Sequence, residues 1–217
     1  KEVMEVAQKL YECKSINGNT IGLITYMRTD STRTDPKFLE KTHEYLKENH
    51  TDIAIDKLRE FKTKGNAQDA HEAIRPTSLD NTPDVVKSAL NDSEFALYSL
   101  IWKRYLAAQC KDALFDRTTL WVSVGDHMFK ATGQVQKFKG FLEIYEESVE
   151  TKSKGKGDED ELISLPIVSK DEKIKQISPI EMKEKFTSPP ARYTEASLVK
   201  TLETKGIGRP STYASII

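Results

Sequence analysis

A chain of 217 residues, 37% hydrophobic and 31% charged, has room for one large domain or two small ones and enough apolar side chains to form cores. Its formal net charge of -1 excludes a simple basic protein that coats nucleic acid, and leaves any nucleic-acid contact to a local surface. Cys13 and Cys110 stand far apart with no metal-ligand spacing, which fits reduced structural thiols better than a disulfide framework or a zinc site. No apolar run reaches the length of a membrane span and no signal peptide opens the chain, so a cytoplasmic location is expected. A first residue Lys1 and a last segment Ser215-Ile216-Ile217 that reads as a helix start suggest a piece excised from a longer protein.

Val3, Val6, Ala7, Leu10 and Tyr11 recur at helical spacing, predicting an amphipathic helix over 2–12 and a turn at 15–18. The next stretch, Ile21-Gly22-Leu23-Ile24-Thr25-Tyr26-Met27-Arg28-Thr29-Asp30-Ser31-Thr32, brings apolar residues up to a tyrosine followed closely by a guanidinium, a carboxylate and hydroxyls. Phenols ionise near pH 10 and are poor nucleophiles at neutrality, so a reactive one needs help. Strand alternation puts Tyr26 and Arg28 on one face, where the guanidinium stabilises a phenolate or a phosphate under attack. Read by itself, the stretch is equally an ordinary buried strand tyrosine before a polar turn.

Asp35-Pro36 predicts a helix start, with Asp as cap and Pro in the first turn, running to near Asn49. His43 within it reads as a partly exposed helix residue. Residues 51–65 are weakly patterned. His71, Glu72 and Arg75 then crowd three polar groups together. On a helix His71 and Arg75 share a face, whereas Pro76 favours a bent loop for Arg75. One His and one Glu do not make a metal site, and no metal ligands are expected in this chain. Val85, Val86 and Leu90 predict a short helix, and Asp92 or Ser93 caps a longer one through Ala108. Residues 1–112 thus read as a mostly helical unit compatible with a winged-helix-like arrangement.

The period then changes. Thr118–Val124, a Gly125-Asp126 turn and Met128–Thr132 predict a hairpin, with further strands at 138–145, 162–168 and 173–177. Lys152–Glu161 is charged, low-complexity sequence expected to form a mobile loop. A truncated sheet here exposes an edge open to self-association. Ser178-Pro179 predicts a short helix through Phe186, and Thr194 caps another ending at Lys205-Gly206. Gly206-Ile207-Gly208-Arg209-Pro210-Ser211-Thr212-Tyr213 reads as a glycine-punctuated loop entering a helix capped by Ser211. Such an end suits a phosphate, or is simply an interhelix turn.

Three stretches, 22–31, 70–77 and 192–217, together resemble the central part of the bacterial type IA DNA topoisomerase I family, in the same order and at similar intervals; Phe138-Lys139-Gly140-Phe141-Leu142 is similar to a strand motif of that family. The resemblance spans nearly the whole chain. It implies an ATP-independent isomerase that cleaves, passes and religates single DNA strands to relax negatively supercoiled DNA. By it, Tyr26 is the nucleophile that becomes joined to a 5′ phosphate, Arg28 stabilises the transition state, and His71 contacts the scissile region. Asp30 and Arg75 belong to the same motifs and are expected to bind nucleic acid, and Arg192, Arg209, Ser211, Thr212 and Tyr213 fall where the family grips single-stranded DNA. The implied architecture is α+β and multi-domain. Residues 1–112 are the helical domain with the tyrosine, 113–183 half of a β arch, and 184–217 the start of a helical DNA-gripping domain. Mg²⁺ and the acidic Toprim domain that binds it are expected outside this chain, because no Asp-x-Asp-x-Glu pattern occurs here. A monomeric full-length enzyme is implied, and the fragment alone is expected to be inactive. Tyrosine recombinases and type IB enzymes place the tyrosine after their Arg/His cluster, the reverse of the order here. A non-catalytic winged-helix module that binds single strands is the alternative, and the topoisomerase III and reverse gyrase branches share these motifs.

Overall fold

The computed structural model describes residues 2–16, 18–29, 31–61, 71–146, 165–175, 177–179, 181–182, 184, 186–187, 189–209 and 212–217, the side chain of Ala214 excepted. In chain order these form α1 (Glu2–Glu12), β1 (Lys14–Ile16), β2 (Asn19–Ile21), α2 (Pro36–Asn49), α3 (Pro83–Val86), α4 (Asp92–Ala108), β3 (Leu114–Val124), β4 (His127–Phe138), α5 (Glu195–Thr204) and α6 (Tyr213–Ile216). This is a mixed α+β chain. Its internal contacts divide it into two units, one of Lys1–Asp112, Gly140–Glu146 and Tyr193–Ile217, the other of Ala113–Lys139 and Glu147–Arg192.

The first unit is built on α1 and α4, whose apolar stripes face each other. Leu10, Leu23, Ile24, Leu46, Ile53, Tyr98, Leu106 and Cys110 of this unit are fully buried. α2 starts as its sequence predicts, with the Asp35 carboxylate accepting from Phe38 N at 3.1 Å and Pro36 in the first turn. α4 is capped one residue earlier than expected. Asn91, rather than Asp92 or Ser93, accepts from Glu94 N at 2.9 Å, and the Glu94 carboxylate accepts from Asn91 N at 3.3 Å. Residues 51–61, unreadable as an element, take their backbone partners from the end of α4. Lys111 N donates to Ile53 O at 2.8 Å, and the buried Gln109 amide bridges Arg59 N and Arg59 O at 3.2 and 3.1 Å.

Glu94 has a second partner, Lys14 Nζ at 2.6 Å, which ties the β1–β2 hairpin to α4. Burial alone raises this carboxyl's pKa. The Lys14 hydrogen bond, the Asn91 N–H and the charges of Lys14 and Lys9 outweigh it and hold the group below its usual range. A carboxyl depressed in the folded state stabilises the fold above its unfolded pKa and loses that contribution as pH falls through the folded value. Acid titration followed by circular dichroism is therefore expected to show stability declining below about pH 4.5. In Glu94→Gln that part of the slope should be absent; an unchanged acid profile would remove Glu94 from the account.

Gly140–Glu143 forms a 3₁₀ turn, not the third strand that Phe138–Tyr145 predicts. Gly140 sits at φ +51°, and a Cβ there would lie 2.5 Å from the carbonyl oxygens of Lys111 and Asp112. Phe141 N donates to Lys111 O at 2.9 Å, so this close approach turns the chain before a strand can continue.

In the second unit β3 and β4 form an antiparallel ribbon, paired from Val124↔His127 out to Leu114↔Phe138. The Gly125-Asp126 turn is as predicted, with Gly125 at φ +56°. The strands are longer than Thr118–Val124 and Met128–Thr132. Cross-strand pairs lengthen them, Lys130 over the Trp121 ring at 5.6 Å among them. The expected strands over 162–168 and 173–177 do not form among the described residues 165–175 and 177, nor does the helix from Ser178 to Phe186 among its described residues. Ile167, Ile177, Met182 and Phe186 are almost wholly exposed, so no packed face rewards regular structure there. The charged stretch 152–161 lies outside the described residues.

α5 ends as its sequence predicts. Thr194 and Ser197 form a reciprocal cap, and Gly206 takes φ +68° after Lys205. No helix among the described residues is long and apolar enough to cross a membrane.

Candidate active site

The stretch around Tyr26 is held from two sides. On one, Leu23 N donates to Leu10 O at 2.8 Å, anchoring it to the end of α1. Gly22 comes so near that an added Cβ would lie 2.4 Å from Tyr11 O. On the other side it pairs with residues 73–77. Thr25 N donates to Arg75 O and Thr77 N to Leu23 O, both at 3.0 Å, with Ile24 bridging Pro76. The Thr25 hydroxyl donates to Ala73 O at 2.8 Å and accepts from Arg75 N at 3.0 Å. The first two sequence motifs thus lie side by side, joined through their main chains.

The strand expected through Tyr26 does not extend that far. The regular ladder stops at Ile21, and residues 25–28 are irregular. The next ladder bond would run from Arg75 N to Thr25 O, but Arg75 N donates to the Thr25 hydroxyl instead, at 3.0 Å. Tyr26 therefore leaves the packed layer and is 49% exposed. The Tyr11 ring meets it edge-on, with centroids 5.3 Å apart and planes at 65°. The His71 ring lies on it at 6.0 Å and 31°. His71 is half-buried, and its Nδ1 is buried with no hydrogen-bond partner among the described residues. Arg28 is half-buried in the same stretch, two residues along, and Asp30 lies outside the described residues.

Residues 71–75 form no helix, so His71 and Arg75 do not share a helical face. The bent loop that Pro76 favours is what forms. Arg75 is 9% exposed, and its guanidinium turns inward. Nε and Nη2 donate to Glu72 Oε2 at 2.9 and 2.8 Å, Nη1 to Pro76 O at 3.0 Å, and the group stacks on Phe38 of α2 at 3.9 Å from the ring centre. It fixes the loop that carries His71. Ala73 N donates to Arg33 O at 2.7 Å, so the chain beyond Tyr26 is fastened to the same loop.

Of the remaining residues named from the sequence, Arg192 is exposed at the end of the second unit. Arg209, Thr212 and Tyr213 form a local turn of the first. Arg209 N donates to the Thr212 hydroxyl at 2.9 Å, and that hydroxyl donates back to Arg209 O at 3.0 Å. α6 begins at Tyr213 with Thr212 as its cap residue, while Ser211, the cap expected from sequence, lies outside the described residues. Among the described residues no group of three or more His, Cys, Asp or Glu side chains is placed to hold a metal ion. Two contributors escaped the sequence reading. Thr25 carried no signal beyond its place before Tyr26, and Tyr11 looked like one more residue of an amphipathic helix.

Comparison with known proteins bears on what these residues belong to. The sequence profile of the DNA topoisomerase family matches residues 1–217. DNA topoisomerase 1 of Xylella fastidiosa is 43% identical over 221 aligned residues, covering all of this chain and 27% of that protein. The solved structure of full-length topoisomerase I from Thermotoga maritima superposes with a TM-score of 0.70 at 33% identity, over 98% of this chain and 32% of that one. The chain thus spans about a quarter to a third of the length of the relatives it matches. Matched along its whole length in sequence and nearly so in fold, it belongs to the bacterial type IA DNA topoisomerase I family.

Proposed function

We propose that this chain supplies the nucleophile and part of the DNA grip of an enzyme that cleaves, passes and religates single DNA strands. In this reading the Tyr26 hydroxyl attacks a backbone phosphorus. The bond from phosphorus to the 3′ oxygen breaks, and a 5′-phosphotyrosine forms while a 3′ hydroxyl leaves. The exchange conserves one phosphodiester for another, so religation needs no ATP. The observation that carries the reading is a half-exposed tyrosine, released from a clamped segment, with the ring of His71 against it. Arg28 meets the charge that builds on the phosphate, and His71 contacts the scissile region. By the family resemblance Arg192, Arg209, Ser211, Thr212 and Tyr213 are each assigned to binding the strand, and Asp30, in the same sequence motif as Tyr26, to binding nucleic acid. Arg75 serves through the loop it holds. This reading places the Mg²⁺ ligands in the rest of a longer, monomeric enzyme; among the described residues no group of three or more His, Cys, Asp or Glu side chains is placed for one. The isolated chain should then neither cleave nor relax DNA.

The test uses the intact protein and a single-stranded oligonucleotide labelled at one end or the other. Denaturing gels should show the 3′ label carried by the protein and the 5′ label released on a shorter strand. A protein-bound 5′ label would indicate 3′ attachment and sink the reading. Tight binding with no adduct would instead favour a non-catalytic single-strand-binding module.

A further inference from the structure

Tyr11 occupies the last turn of α1 and stays 39% exposed, while its helix neighbours Ala7 and Leu10 are buried. It is not a core residue. Its ring lies edge-on to Tyr26, 5.3 Å away, and its main chain is tied to the Tyr26 segment by the Leu10–Leu23 hydrogen bond and the Gly22 approach. Among the described residues the Tyr26 hydroxyl makes no hydrogen bond that would orient it. A phenol in that position depends on ring contacts to limit its rotation, and edge-to-face pairs have a defined geometry. In-line attack on phosphorus demands such limits, since misorientation lowers the fraction of productive encounters.

We propose that Tyr11 is a positioning residue for the attacking phenol: its ring restricts Tyr26 to the rotamers from which the hydroxyl reaches a phosphate. The inference rests on Tyr26 being the nucleophile and adds a second aromatic residue to that site. The role belongs to the ring and not to the Tyr11 hydroxyl, which distinguishes it from a proton donor. It also acts on the cleavage step, not on strand binding, which distinguishes it from a platform that stacks a base.

The experiment compares Tyr11→Leu and Tyr11→Phe in the intact protein. Single-turnover cleavage of a saturating single-stranded oligonucleotide is measured for each, and Kd for the same oligonucleotide is measured in a Tyr26→Phe background. Tyr11→Leu should cleave about tenfold more slowly and Tyr11→Phe within about twofold of the parent, with Kd altered less than about twofold in both. Unchanged Tm and Kd show that each variant is folded; if the leucine variant is not, Tyr11→Gln takes its place. Parent-like cleavage by Tyr11→Leu overturns the proposal, as does an equal loss in Tyr11→Phe or a loss confined to Kd. If the parent itself forms no adduct, the nucleophile reading fails instead, so the two failures are distinguishable.

Discussion

Tyr26→Phe in the intact protein is expected to abolish the covalent adduct and DNA relaxation while leaving single-strand binding within about twofold of the parent. Removing one oxygen deletes the proposed nucleophile and little else. The phenyl ring keeps the edge contact with Tyr11 and the tilted contact with His71, and the clamps at Leu23 and Thr25 involve main chain and the Thr25 hydroxyl only. Loss of a nucleophile in covalent catalysis costs on the order of 10⁴-fold or more, well beyond the roughly tenfold effect expected at Tyr11. Adduct yield on denaturing gels and relaxation of supercoiled plasmid measure the loss, and oligonucleotide titration checks the binding. Residual adduct in the variant would move the nucleophile to another residue, and peptide mapping of the linked strand would say which.

Much of this fold was legible because it is local. The stripe in α1, the Asp35-Pro36 start of α2, the Thr194 cap and Gly206 stop of α5, and the Gly125-Asp126 hairpin each follow from a few neighbouring residues. What was not legible depends on partners distant in the chain. Gly140 turns because of the carbonyls at 111 and 112, which no periodicity near 140 announces. Strand-like sequence at 165–175 stays irregular, with Ile167 wholly exposed and Ile174 about half exposed, so little packing there rewards a strand. The site divides in the same way. His71 was recognisable from its motif and does lie on Tyr26, whereas the inward turn of Arg75 depends on Phe38 of α2, and the approach of Tyr11 on a junction at Gly22. A motif says which groups are present; the direction in which an arginine points is a property of tertiary packing.

That junction carries the second large effect. Gly22→Ala is expected to slow cleavage about 100-fold although it alters no side chain that touches DNA, because a displacement of about 1 Å at a reacting group has that consequence. The added methyl would lie 2.4 Å from Tyr11 O and 3.4 Å from Tyr11 C. Both are main-chain atoms, so no rotamer change relieves the clash. The end of α1 and the Tyr26 segment must separate, stretching the 2.8 Å bond from Leu23 N to Leu10 O. The other side does not follow, since Thr25 remains fastened to Ala73 and Arg75. Tyr26 is then levered away from Tyr11 while His71 stays in place. Overpacking of this kind costs about 1–3 kcal/mol of stability, which differential scanning calorimetry resolves. Gly18→Ala is the control. It has open space around the new methyl but sits at φ +80°, so it carries backbone strain of about 1–2 kcal/mol without touching the junction. It should lower Tm comparably and leave cleavage near the parent rate. If both variants lose stability alike and both cleave normally, the approach of Tyr11 to Gly22 does not set the position of the nucleophile.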